Sequence, residues 1–323
     1  MKMALVGDVM LGRLVNELLK RCDATYPWGN TLSILQDTDL RICNLECVLS
    51  DIGHPWSATP KVFHFRSDEK NVKALLAAKI DMVSLANNHV LDYEDLALSR
   101  MLDVLKASGI LYAGAGKDLR QASQPALCQV NGQRIGMLAF TDNEPDWEAQ
   151  KNRPGVCFVP TQVHDKRAQD LFRRIAHLRP SVDFLIVSAH WGSNWGYEPP
   201  PEHIAMAHAL VESGADLIFG HSGHIFRGIE VHKKRPIIYC AGDFIDDYAV
   251  DAIERNDESF IFVLERAPQK NLKLHLYPTC IHQFQANLAD SHRQTAILEK
   301  MQSLCKDLGT HLQCLSGHAL LEI

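Results

Sequence analysis

The sequence predicts a layered α/β protein with ligand-type residues gathered beyond the carboxyl ends of its strands. Three observations carry this. Short apolar runs alternate with segments of helical apolar spacing along most of the 323 residues. The strand-like runs fall into two groups, each able to form a sheet. Asn131-Gly132 joins two such runs in the manner of a type I′ hairpin, so the sheets are mixed rather than purely parallel.

Taken in order, residues 3–6 form a short apolar strand ending at Gly7-Asp8. Residues 11–21 follow with Leu11, Leu14, Val15, Leu18 and Leu19 at helical spacing. A second strand over 40–43 ends at Asn44-Leu45-Glu46. Residues 51–67, with Gly53, Pro55, Trp56 and Pro60, read as a long irregular excursion, a kind of segment that is usually functional or a lid. A helix over 68–78 precedes a third strand over 81–85, which runs into Ala86-Asn87-Asn88-His89. Asp92 is placed to cap a helix reaching about Ser108 and closed by Gly109. The hairpin strands span 126–130 and 134–140. An amphipathic helix over 161–178 stops before Pro180. Residues 184–189 are the most strand-like run and end at His190-Trp191-Gly192. A Trp- and Pro-rich loop then leads to a helix ending near Gly214 and a strand over 216–219. Strands over 236–240, 259–264 and 272–277 follow, the last two divided by a turn near Pro268. A closing helix over 288–315, with Leu298, Met301 and Leu304 on one face, serves packing. No repeat, low-complexity tract or linker interrupts the chain, so residues 1–323 read as one domain.

Composition narrows the function. Net charge is -6 and the only basic block is Lys233-Lys234-Arg235, which argues against a nucleic-acid surface. Nine scattered cysteines without a Cys-x-x-Cys pair fit reduced thiols. The first apolar run stops at Val6, and no run approaches the roughly 18 apolar residues that span a bilayer, so a cytoplasmic protein without signal peptide or membrane span is expected.

The chemistry lies at the strand ends. In layered α/β folds ligands bind beyond the carboxyl edge of a sheet. That edge holds Asp8, Asn44, Glu46, Asn88, His89, His190, His221 and His224, the last two within Gly220-His221-Ser222-Gly223-His224. Two carboxylates together without a cation repel one another and lose solvation. Imidazoles, carboxylates and an amide without thiolate suit one or two divalent ions of Mn, Fe or Zn. Such ions acidify water and clamp the oxygens of a phosphoryl centre, and His89 is then placed to protonate a leaving group. The implied chemistry is hydrolysis of a small or polymeric anionic substrate.

These stretches resemble the calcineurin-like metallophosphoesterase superfamily, and more closely its poly-gamma-glutamate capsule-synthesis (CapA-like) branch. The resemblance rests on Gly7-Asp8-Val9-Met10-Leu11-Gly12-Arg13, Asn44-Leu45-Glu46, Ala86-Asn87-Asn88-His89, Gly114-Ala115-Gly116, His190-Trp191-Gly192, Gly214-Ala215-Asp216, the 220–224 stretch and Gly242-Asp243-Phe244, in family order. It implies a four-layer α-β-β-α sandwich. It also implies that Asp8 and His224 bind a first ion, Glu46 bridges, and Asn88, His190 and His221 bind a second. His89 acts near the leaving oxygen. By its spacing, five residues after Asp8, Arg13 is either a group that meets the anionic substrate or a solvated helix residue, and Asn44, Asn87, Asp92 and Asp243 are expected to support the ligands. Met10 stands where the wider superfamily carries a histidine, and the last two histidines are three rather than two apart.

Other residues divide between site and scaffold. Gly114-Ala115-Gly116 reads as a plain turn rather than a phosphate cradle. Trp56, Trp191, Trp195 and Tyr197 are either core or walls of a pocket, and Asp246-Asp247 reads as a solvated acidic turn. Three functions compete: a metal-dependent phosphoesterase, a handler of gamma-linked glutamate polymer, and a non-catalytic scaffold on the same fold.

Overall fold

The computed structural model describes residues 1–266 and 271–323, so the turn expected near Pro268 lies outside the described residues. Two mixed sheets face each other. The larger runs Gln313–Leu315, His318–Glu322, Lys273–His282, Glu258–Glu265, Lys2–Val9, Leu40–Leu45, Met82–Ser84, Leu111–Ala113. Asp243–Ile245 also pairs in parallel with Lys2–Val9, setting Asp8 opposite Asp243. The smaller sheet runs Ile229–His232, Arg235–Ile238, Leu217–His221, Phe184–His190, Gln133–Thr141, Ala126–Val130.

Strand alternation explains the layers. In Lys2–Val9, Met3 and Leu5 enter a core shared with Met137, Ile186 and Phe219 of the other sheet, whereas Ala4 and Val6 face outward. Their outer neighbours include Leu98, Met101 and Leu105 of the Glu94–Ala107 helix. On the opposite outer face, Leu185 and Val187 meet Leu171 of Lys166–Leu178 and Leu210 of Pro201–Glu212. Each such Leu, fully buried, contributes about 1.5–3 kcal/mol. The result is the four-layer α-β-β-α arrangement, with both sheets mixed.

The Asn131-Gly132 hairpin forms as expected, with φ of 50° and 77°. Three expectations need correction. The closing helix covers only Ser291–Asp307 and is followed by two paired strands that extend the large sheet, because Gly309 at φ 73° ends it. Asp92 does not cap the helix that follows; Tyr93 occupies that position without a side-chain cap, and Asp92 is used elsewhere. Asp246 and Asp247 are buried rather than solvated. Gly114-Ala115-Gly116 carries a short pairing with Gly155-Val156, a packing role. All nine cysteines are free. Among the described residues, no helix is long and apolar enough to cross a membrane.

Candidate metal centre

Four strand ends meet where the two sheets open. Lys2–Val9 delivers Asp8, Leu40–Leu45 delivers Asn44 with Glu46 just beyond, Phe184–His190 delivers His190, and Leu217–His221 delivers His221. His190 and His221 lie directly opposite each other in parallel register. Gly220 is required inside its strand, since a Cβ there would sit 2.1 Å from the Tyr239 carbonyl oxygen. Ser222, not a glycine, takes the left-handed turn at φ 97°, and its N–H donates to Asp8 Oδ2 at 3.2 Å.

Two groups of ligand atoms converge. Asp8, His190 and His221 form one, and Asp8, Glu46 and Asp243 form the other, each with its atoms within 4.8 Å of one another. In the first, the Nδ1 atoms of His190 and His221 lie 2.8 Å apart. His190 Nε2 faces Asn88 Oδ1 at 2.9 Å, and His221 Nε2 faces Ser188 Oγ at 2.7 Å. With both Nε2–H groups donating outward, two Nδ1 lone pairs aim at one point, which suits a cation. Burial pushes the His190 pKa well down and that of His221 to about 3, so both rings are neutral at pH 7.

In the second group, burial raises the carboxyls of Asp8, Glu46 and Asp243, and their mutual repulsion raises Glu46 and Asp243 further. Glu46 Oε2 is buried with no hydrogen-bond partner. A buried, unpaired carboxylate oxygen beside two more carboxyls is a costly arrangement that a divalent ion stabilises. The donor set therefore fits the expected metal.

The supporting residues are in place. Asn44 Nδ2 donates to Asp8 Oδ1 at 2.7 Å, while Asn87 Nδ2 donates to Asn44 Oδ1 at 3.0 Å. Two placements differ from the carried-over pattern. The carboxylate shared by both groups is Asp8, whereas Glu46 sits in the acidic group alone. His224 joins neither group. Its Nδ1 faces both Asp243 oxygens at 3.1 Å, because the turn through Ser222 carries it past the strand end that aims His221. Asp243, expected only to support, stands among the ligand atoms.

Above the centre lies a cleft of about 550 Å³, lined among others by Arg13, Lys61, Phe65, His89, Trp195 and His224. His89 Nδ1 is 2.6 Å from Asp92 Oδ2, and its ring stacks on Phe65 at 3.9 Å. Its Nε2 is 3.7 Å from Glu46 Oε1. Desolvation lowers its pKa, with Asp92 opposing. Arg13 is anchored to Asp247 Oδ2 at 3.2 Å, with the Phe63, Phe65 and Tyr248 rings 5.5–6.0 Å from its guanidinium. Lys61 is a cleft cation that sequence reasoning missed, although it lies in the flagged 51–67 excursion. Its Nζ donates to the Asn88 carbonyl at 2.7 Å and to Glu144 Oε1 at 3.1 Å. Of the aromatic candidates Trp195 lines the cleft, whereas Trp191 is core and Trp56 packs on Trp147.

The family described as "Bacterial capsule synthesis protein" matches residues 2–248. A "Probable polyglutamine synthesis accessory protein" of Mycobacterium tuberculosis is 35% identical, over 75% of this chain and 73% of that one. The "Capsule biosynthesis protein CapA" of Bacillus anthracis is 30% identical over 76% of this chain, and the match spans 59% of that relative's length. A Staphylococcus aureus structure, provisionally described as a 5'-nucleotidase in complex with alpha-ketoglutarate, aligns over 94% of this chain and 58% of its own. Its TM-score is 0.50 at 15% identity, a likeness of fold alone.

Proposed function

The chain belongs to the bacterial capsule synthesis protein family, and from that membership we propose that it is a divalent-metal-dependent hydrolase serving capsule polymer synthesis, with a phosphoester as the bond cut. The observation that carries this reading is the convergence of Asp8, Glu46, Asp243, His190 and His221 beside a cleft that Glu46 reaches and that two cations line. Asp8, His190 and His221 would hold one ion, with Asn88 orienting the His190 ring through Nε2, and Asp8, Glu46 and Asp243 would hold the other. When bound, such ions supply Lewis acidity and lower the pKa of water from about 15.7 to about 7.

The chain's own residues do the rest. Arg13 and Lys61 bind the anionic substrate, and a hydrogen bond to a charged group contributes about 1.5–3 kcal/mol. Asp92 accepts the Nδ1–H of His89 and stabilises its imidazolium form, which gives its Nε2 proton to the leaving oxygen and returns to the neutral Nδ1–H tautomer. Phe65 holds that ring flat, and the aromatic side chains of Phe63 and Trp195 restrict water at the mouth.

The experiment is elemental analysis of protein purified without chelator, followed by a substrate panel. At least one Mn, Fe or Zn per chain and turnover of an aryl phosphate ester are expected, with turnover lost and metal content reduced in His221→Ala. Full activity in His221→Ala ends the reading. A second reading is favoured by the names of the relatives, which point to glutamate polymers: the same centre cuts a gamma-glutamyl amide. Glutamate release from poly-gamma-glutamate, absent in Asp8→Ala, together with inert phosphoesters, assigns it.

A further inference from the structure

A second set of ligand-type side chains lies outside the cleft, on the outer face of the six-stranded sheet. Edge strand Ile229–His232 turns Ile229 and Val231 toward the core between the sheets. Alternation therefore sends Glu230 and His232 to the outer face. The Pro201–Glu212 helix covers that face, and His208 and Glu212, four residues apart, share one side of it.

The two pairs meet. His208, Glu230 and His232 each bring a ligand atom within 4.8 Å of the others. His208 Nε2 is 2.8 Å from Glu230 Oε1, and the His208 and His232 rings stack at 3.8 Å and 9°. Tyr239 donates its hydroxyl to Glu230 Oε2 at 2.5 Å, and burial together with Glu230 raises the phenol's pKa, so it stays a donor. Glu212 Oε1 lies 3.4 Å from His232 Nε2 and accepts from Lys233 at 2.6 Å. The side chains of His208, Glu230 and His232 are 31%, 17% and 21% exposed, which leaves an entry path.

We propose that His208, Glu230 and His232 form a zinc site separate from the cleft, with Glu212 or water as fourth ligand. Two imidazoles and a carboxylate in a four-coordinate shell suit Zn²⁺. Tyr239 orients the ligating carboxylate, as outer partners of metal ligands do. The site clamps the edge strand to the helix that follows the Trp195 loop, so zinc here stabilises one wall of the cleft without entering its chemistry.

The test uses the full chain carrying Asp8→Asn and His221→Ala, which silence the cleft centre. Calorimetric titration with Zn²⁺ is expected to show one remaining equivalent and a zinc-dependent rise in Tm. Adding His208→Ala removes both. His232→Gln, a mild change on an edge strand, abolishes the same equivalent and decides alone if His208→Ala fails to fold. An unchanged zinc equivalent in His232→Gln, or none in the cleft-silenced chain, overturns the proposal. Equal zinc uptake by the unaltered and cleft-silenced chains counts against the cleft reading instead, leaving this site standing.

Discussion

At the scale of single residues, the centre combines groups whose burial pushes them in opposite directions. Desolvation disfavours charge, so it raises Asp8, Glu46 and Asp243 and lowers His190 and His221. Before metal binds, the carboxyls keep their protons to higher pH than free carboxyls do, and the imidazoles give theirs up at lower pH than free imidazole. Metal binding therefore releases protons from the carboxyls alone, and release declines as pH rises through their raised range. Titration calorimetry in buffers of different ionisation enthalpy measures this; release that grows as pH rises contradicts it. Arg13→Gln removes a guanidinium anchored by Asp247 on the cleft wall. About 1.5–3 kcal/mol of substrate binding, or roughly a 10- to 100-fold fall in kcat/KM on an anionic substrate, is expected, with metal content unchanged. His221 and His190 were legible in sequence because each ends an apolar run. Lys61 was not, because it reaches the cleft from an irregular segment without periodicity.

At the scale of elements, close backbone approach positions the site. A Cβ on Gly7 would lie 1.9 Å from the Gly242 carbonyl oxygen, which also accepts the Asp8 N–H at 3.1 Å. Gly7→Ala therefore forces Lys2–Val9 away from Asp243–Ile245 and separates Asp8 from Asp243. A stability loss above about 2 kcal/mol, together with reduced metal content, is expected from denaturation curves and elemental analysis. Gly132→Ala is the contrasting case. That position is at φ 77° with nothing within 4 Å of the new methyl, so only backbone strain of about 1 kcal/mol is expected, with metal content unchanged. The hairpin was readable because Asn-Gly carries its geometry locally. The Asp243–Ile245 strand was not, since three residues show no period and acquire strand form only by pairing with Asp8 and Val9.

At the scale of the whole molecule, the centre spans both sheets, with Asp8, Glu46 and Asp243 contributed by the larger and His190 and His221 by the smaller. Ion binding therefore ties the halves of the sandwich together, and we propose that residues 1–323 unfold as one unit. A free ion at a thousand times its Kd adds about 4 kcal/mol to the folded state, so chelator is expected to lower Tm by several degrees in a single calorimetric transition. Two separate transitions contradict the one-unit reading. The layered α/β class, the hairpin and most ligand-type residues followed from the sequence alone, because apolar periodicity and turn chemistry are local properties of consecutive residues. Tertiary structure alone decided that Asp8 is the shared carboxylate, that Asp243 stands among the ligand atoms, and that His224 turns to Asp243. Those outcomes depend on which strand ends and turns meet across two sheets, a relation between residues as distant in the chain as Asp8 and Asp243 that no local pattern encodes.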